Sequence, residues 1–338
     1  MKIIRKKAYA RAGLLGNPSD GYNGKTISFI IKNFHAEIVL YEWDTLEILP
    51  SESDKGKFRS VHELVGDVRL HGYYGGMRLI KATIKRFVDY CNNRNIELHS
   101  QNFSVRYSSN IPRQVGLAGS SSIIVATLRC LMEFYDMKMP EEAQPSFVLS
   151  VEQEELGISA GLQDRVIQVY EGLVYMNFDK QVEQSVNGFL CYGYERLDPG
   201  LLSNIYIAYH AGLSEPTEVY HNDIRGRFLR GEELVVNAMQ RFAELTAEGK
   251  QALLDGNSRR LAVLINENYD LRRSISRLPD WQTEMVETAR ACGASAKFAG
   301  SGGAIVGTYE SEQMLDKLKN RLADVHVETL IPQIVSAG

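Results

Sequence analysis

The stretch Ile111-Pro112-Arg113-Gln114-Val115-Gly116-Leu117-Ala118-Gly119-Ser120-Ser121-Ser122 decides how this chain is read. It runs directly into IIVATLRCLMEFY, so the pattern predicts a helix over Ser120–Tyr135. A glycine-bearing loop entering a helix start gathers free backbone N–H groups at the positive end of the helix dipole, a combination that favours phosphate. The serines can cap the helix or offer oxygen to a hard cation. No G-K-[ST] follows, so this is not a Walker loop. A plain glycine turn with a serine cap would satisfy the same residues, and the loop alone does not choose between the two.

Two more glycine segments lie outward from it. Toward the N-terminus, Arg11-Ala12-Gly13-Leu14-Leu15-Gly16-Asn17-Pro18-Ser19-Asp20 reads as a strand entering a rigid turn. Asp20 there can accept hydrogen bonds from hydroxyls, and Arg11 can reach a phosphoryl group or a carboxylate. An Asx-type turn with a surface arginine is the simpler reading. Toward the C-terminus, Ala296-Lys297-Phe298-Ala299-Gly300-Ser301-Gly302-Gly303-Ala304 is either a tight hairpin or a backbone wall against a ligand.

Between these segments the periodicity alternates. Strands are expected at Lys6–Leu15, Lys25–Ile31, His35–Tyr41, Asp44–Leu49, Phe103–Tyr107 and Leu173–Phe178, with helices at Tyr74–Asn92, Pro145–Glu155 and Leu162–Val169. After a strand at Ile205–Tyr209, helices are expected at Thr217–Arg230, Glu232–Glu248, Ser258–Ser276 and Asp280–Cys292. The chain then closes with strands at Ala296–Phe298 and Ala304–Thr308, a helix at Glu312–Asp324 and a strand at Val325–Leu330. The pattern is α+β in two domains, divided as 1–190 and 191–338.

The 338 residues suit about two domains of ordinary size. Thirty-eight basic against 42 acidic residues leave a net charge of -4, so no broad basic field is available for nucleic acid or an anionic membrane. Cys91, Cys130, Cys191 and Cys292 are scattered without a CxxC, which reads as reduced thiols. The basic start is followed by no apolar run, and no stretch approaches the ~20 apolar residues of a membrane helix. A cytoplasmic protein is expected, with no nucleic-acid or membrane partner, as a monomer or homodimer.

The order and co-occurrence of the three glycine segments resemble the GHMP kinase superfamily, over about Ala8 to Gly307. A fourth segment, Ser150-Val151-Glu152-Gln153-Glu154-Glu155-Leu156-Gly157-Ile158-Ser159-Ala160-Gly161-Leu162-Gln163-Asp164, keeps the spacing of the galactokinase-type counterpart. Spacing alone would also allow a helix-surface Glu152 and a capping Asp164. The resemblance implies an N-terminal domain like ribosomal protein S5 domain 2, a ferredoxin-like C-terminal domain, and ATP with Mg2+ as cofactors. It implies Asp164 and Arg11 as the catalytic pair, and a phosphate cradle of Val115, Gly116, Leu117, Ala118, Gly119, Ser120, Ser121 and Ser122. Ser121 and Glu152 would hold the metal, and Arg11, Asn17, Asp20, Asp164, Gly302 and Gly303 would bind the acceptor.

Within that superfamily the serine loop here is one residue longer than usual. With G-L-L-G-N-P-S-D and Tyr74-Gly75-Gly76, it resembles the glucuronokinase branch. Asn17, where galactokinases carry Glu, departs from the galactokinase pattern. The implied acceptor is a sugar or uronic acid phosphorylated at its anomeric hydroxyl, D-glucuronate first. Galacturonate, a neutral sugar, a heptose phosphate, mevalonate, or a sugar and ATP sensor without turnover are the alternatives. A uronate needs a cation for its carboxylate, and Arg113, Arg165, Arg225 and Arg227 are the candidates.

Overall fold

The computed structural model describes residues 2–50, 75–210 and 224–334. The long strand β1 (Ile3–Leu15) turns back antiparallel onto β2 (Lys25–Trp43) along almost its whole length. The expected strands at Lys25–Ile31 and His35–Tyr41 are therefore one 19-residue strand. Its register against β1 shifts between Tyr9 and Ala10, a bulge that bends the ribbon. The bend lets β2 take two different partners on its other edge. Residues 36–43 pair with β4 (Asn102–Ser109), and residues 25–29 pair with β5 (Leu173–Asn177). β3 (Glu47–Leu49) and β8 (Gly193–Leu197) complete a six-stranded sheet.

α1 (Gly76–Asn92) and α2 (Gly119–Phe134) pack on one another and on this sheet. α2 is apolar through most of its circumference because it is buried on most sides, and Ile124, Val125, Ala126, Leu128 and Leu131 are almost wholly excluded from water. α3 (Gln144–Ser150) stops earlier than the expected Pro145–Glu155 and passes into a π-helical turn over Val151–Glu155. Such turns add a residue to the winding, re-aim the side chains on it, and occur often at functional sites. α4 (Gln163–Tyr170) then leads into β5.

Two features lie outside the sequence expectation. Gln184–Val186 (β6) and Phe189–Cys191 (β7) form a small hairpin, and β8 follows as a strand of the first sheet. That sheet thus extends to Leu197, beyond the division expected between 190 and 191, and the second sheet starts at β9 (Ile205–His210). These strands are short and half-exposed, so they lack the apolar alternation that marks a strand in sequence.

The second sheet has the order β10-β11-β9-β12, with β10 at Lys297–Phe298, β11 at Ala304–Thr308 and β12 at Val327–Leu330. All three pairings are antiparallel, the βαββαβ arrangement of ferredoxin-like folds. α7 (Asp280–Ala291) and α8 (Glu312–Ala323) supply Met285, Val286, Leu315, Leu318 and Leu322 to its core, against Tyr206, Phe298 and Ile305. α5 (Glu233–Leu254) and α6 (Ser258–Ile275) pack together and reach across to the first half. Thr246 on α5 donates to the Lys25 carbonyl at 2.9 Å. One apolar cluster accordingly runs through both halves. Of the expected helix Thr217–Arg230, residues 224–229 are helical and the rest lies outside the described residues. No helix among the described residues is long and apolar enough to cross a membrane.

Gly307 in β11 lies flat against the backbone of Ser295, where a Cβ would overlap the Ser295 carbonyl oxygen. Gly307→Ala should destabilise the protein by about 1–3 kcal/mol, because a strand rather than a side-chain tip must move. Urea unfolding followed by circular dichroism measures it.

Candidate active site

A single cavity of about 1240 Å3 gathers residues from all four glycine segments. At its centre the Arg11 guanidinium faces the Asp164 carboxylate side-on, with Nε to Oδ1 at 2.6 Å and Nη2 to Oδ2 at 2.7 Å. Nη1 donates to the carbonyls of Gly116 at 2.5 Å and Ala299 at 3.2 Å. Four of its five N–H groups are thus spent, and one arginine joins the phosphate loop, the C-terminal glycine segment and the acid. The β1 backbone repeats the clamp, since Arg11 N donates to Leu117 O and Gly13 N to Ala299 O. Asp164 lies in the first turn of α4, where the helix dipole favours a negative group.

The loop expected to cradle phosphate winds tightly. Gln114, Gly116 and Ala118 all have positive φ, 55°, 78° and 62°. Residues of this hand alternating with ordinary ones turn successive N–H groups toward a common concavity. Ala118 is the cap of α2, so the free N–H groups of the first turn open into the cavity beside Ser120 and Ser121. Gly116, Leu117, Ala118 and Gly119 line it too. Val115 and Ser122 do not. Val115 packs against Gly303, and Ser122 turns its hydroxyl back to Gly119 O at 2.7 Å.

Gly302 and Gly303, expected at the acceptor, are also behind the wall. They are buried against Gln282 and Val115, while Gly300 and Ser301 face the cavity. The physical reason is Gly300, whose backbone presses so close to Gly116 O and Arg11 that a Cβ would overlap both. The loop's open side therefore ends one residue further on.

Glu152, on the π turn, is 2% exposed, and burial raises its pKa against the offsetting charge of Arg165. Arg165 meets this carboxylate at one atom only, Oε2, through Nε at 2.5 Å and through Nη2. Among the described residues Oε1 has no hydrogen-bond partner, and it belongs to a side chain on the cavity wall. Ser121 lines the same wall, its hydroxyl only loosely held by Ala118 O at 3.3 Å. One carboxylate oxygen and one hydroxyl suit Mg2+, which keeps few protein ligands and takes the rest from phosphates and water. Among the described residues no cluster of three or more acidic, histidine or cysteine side chains could hold a metal without such help.

Asp20 accepts from Gln163 N at 3.2 Å and sits against Gly161. Burial and the neighbouring charge of Asp164 push its pKa up from 3.8 to about 6. Asn17 gives its Oδ1 to the Lys297 ammonium at 2.5 Å, so its amide nitrogen is the end left for a ligand.

Lys297 and Arg272 are missing from the sequence expectation. Lys297 is 1% exposed and donates also to Gly13 O at 2.6 Å and Phe298 O at 2.8 Å. Burial beside Arg272 and Arg11 lowers its pKa well below that of an ordinary lysine. Arg272 of α6 donates to Gly300 O and Ser301 O at 2.6 and 2.7 Å, over the Phe298 ring. A lysine among small and apolar residues in SAKFAG is a readable signal; Arg272, in the charged run DLRRS, has none. Neither tryptophan, Trp43 or Trp281, lines the cavity, and Tyr73 and Tyr74 lie outside the described residues.

Comparison with known proteins identifies the family. Residues 78–172 match the family described as GHMP kinases N terminal domain, and residues 250–327 match GHMP kinases C terminal. The chain belongs to the GHMP kinase family. It is similar to "Glucuronokinase 1" of Arabidopsis thaliana, 43% identical over 309 residues, 90% of this chain and 84% of that one. "Probable glucuronokinase 2" of the same plant is 45% identical over 312 residues, with the same coverage. In fold, the galactokinase of Lactococcus lactis complexed with galactose superposes with a TM-score of 0.79 at 15% identity, over 99% of this chain and 94% of that one.

Ionised Asp20 costs stability, and the sign follows from its raised pKa. The folded protein binds that proton more tightly than the unfolded chain, so the contribution is present below pH 4 and lost as pH rises through about 6. Asp20→Asn should flatten the stability profile between pH 4 and 6 and raise the melting temperature at pH 7, as read by thermal unfolding across buffers.

Proposed function

We propose that the protein transfers the γ-phosphoryl group of ATP to the anomeric hydroxyl of D-glucuronate, giving D-glucuronate 1-phosphate and ADP. The observation that carries the chemistry is the Arg11–Asp164 pair set against the helix-start phosphate loop within one cavity. The glucuronokinase relatives carry the choice of acceptor.

Phosphoryl transfer asks a protein mainly for positioning and charge neutralisation. The backbone N–H groups over Gly116–Ser121 hold the phosphates, and the apolar end lined by Leu79, Tyr107, Ile111 and Pro112 takes the base. Ser121 Oγ and Glu152 Oε1 would hold Mg2+, which neutralises charge on the phosphates when bound. Asp20 accepts sugar hydroxyls, and Asn17 donates to a sugar oxygen.

Asp164 has both oxygens fixed by Arg11, with Arg165 Nη1 a further 3.6 Å from Oδ2. It takes the proton of the attacking hydroxyl as the new O–P bond forms and the bond to the ADP oxygen breaks. Arg11 holds the acid in plane, and its remaining N–H serves the transferred group. A sensor that binds both ligands without turnover would have no use for an acid fixed in this way.

The deciding experiment is ADP release with Mg·ATP against D-glucuronate, D-galacturonate, D-galactose, L-fucose, mevalonate and heptose 7-phosphate. Selective turnover of D-glucuronate is expected, and silence across the panel with ATP bound would make the sensor the better reading. Asp164→Asn should lower kcat by about a hundred- to ten-thousand-fold while ATP affinity stays within a few-fold. Ser121→Ala should raise the KM for Mg·ATP and leave that for the sugar nearly unchanged; equal losses for both would point to a collapsed helix start.

A further inference from the structure

The acceptor end of the cavity holds two carboxylates, Asp20 and Asp164, and a substrate carboxylate entering there meets their repulsion unless cations answer it. Most of the cavity's cations are already committed. Arg11 is held by Asp164, and Arg165 by Glu152 and Gly161 O. Arg272 is tied to the Gly300 and Ser301 carbonyls. Arg227, whose guanidinium grips Glu232 and the Ile275 carbonyl, does not line the cavity at all. Arg113 stands on the phosphate loop, at the nucleotide end, and has partners of its own.

Two cations differ from these. Arg225 and Lys180 both line the cavity and are exposed, and among the described residues neither side chain has a hydrogen bond or an ion pair. Both flank the turn that carries Asp20. Arg225 and Phe228 are three residues apart in the helical stretch 224–229, which places them on one face. That face is fixed by the Phe228 ring, which packs at 4.7 Å on Tyr22, two residues beyond Asp20. Lys180 follows Phe178, whose N–H donates to Gly24 O at 2.9 Å on the far side of the same turn.

We infer that Arg225 and Lys180 form the subsite that reads the carboxylate of a sugar acid. The inference rests on the proposed acceptor. In the pyranose form of a hexuronic acid the ring oxygen bonds the anomeric carbon on one side and the carbon that bears the carboxylate group on the other, so a sugar with its anomeric hydroxyl at Asp164 still presents its carboxylate nearby. Arg225 supplies a planar fork for two carboxylate oxygens, and Lys180 a second point charge. Neither touches the reacting atoms, so their effect falls on acceptor binding and on the choice between acid and neutral sugar.

The test is steady-state kinetics of the whole protein with D-glucuronate and Mg·ATP, for wild type, Arg225→Gln, Lys180→Gln and the double variant. The single variants should raise the KM for D-glucuronate roughly ten- to hundredfold, the range for loss of a hydrogen bond to a charged group, with kcat within about threefold. The double variant should lose more, Arg225→Lys should recover part of the loss, and the KM for Mg·ATP should stay unchanged throughout. Wild-type turnover of D-glucuronate with indifferent variants would overturn the subsite and leave the acceptor standing. Equal losses for sugar and nucleotide would also overturn it, as damage to the fold. A wild-type protein silent on D-glucuronate would instead remove the acceptor reading, and the subsite with it.

Discussion

The side-on contact between Arg11 and Asp164 is the constraint on which the remaining architecture converges. A guanidinium that is 5% exposed must find an acceptor for nearly every N–H, because buried donors without partners are costly. Its partners come from three places far apart in sequence: a helix start, a glycine loop and the edge of the second sheet. Meeting that demand forces Gly116 and Gly300 into near-contact and brings β1 alongside both loops. The site geometry is therefore a by-product of satisfying one buried cation.

Lys297 and Arg272 extend the same logic outward. Each donates to backbone carbonyl oxygens of the glycine segments, Lys297 to Gly13 O and Phe298 O, and Arg272 to Gly300 O and Ser301 O. Lys297 sets which end of the Asn17 amide faces the cavity, since an ammonium can only donate. Arg272 fixes the carbonyls of the glycine segment that walls the cavity. The second domain thus acts on the chemistry through backbone placement more than through groups that touch a ligand.

Much of this was legible in the chain itself. The apolar rows of α1, α2 and the C-terminal helices set their positions, and the order of the glycine segments pointed to one shared site and to the family. What escaped detection did so for identifiable reasons. The bend that fuses two expected strands into β2 depends on a register shift that no residue type announces. Ala118 and Gln114 adopt the left-handed conformation that sequence assigns to glycine, because tertiary contacts hold them there. Gly302 and Gly303 look identical to Gly300 in sequence, and only the close approach of Arg11 separates wall from backing.

The carbonyl of Ala299 binds both the Arg11 side chain, 288 residues away in sequence, and the amide of Gly13. A nascent chain that has emerged only as far as β9 carries the loop, the acid and the arginine, but not the strand that locks them together. The contacts that tie the phosphate-handling parts to the second domain therefore form only after Ala299 of the 338 residues has been made, a delay inherent in contacts of such long sequence separation. In the finished protein that one carbonyl is a latch between the first strand and the loop after β10, joining the second domain to the catalytic pair.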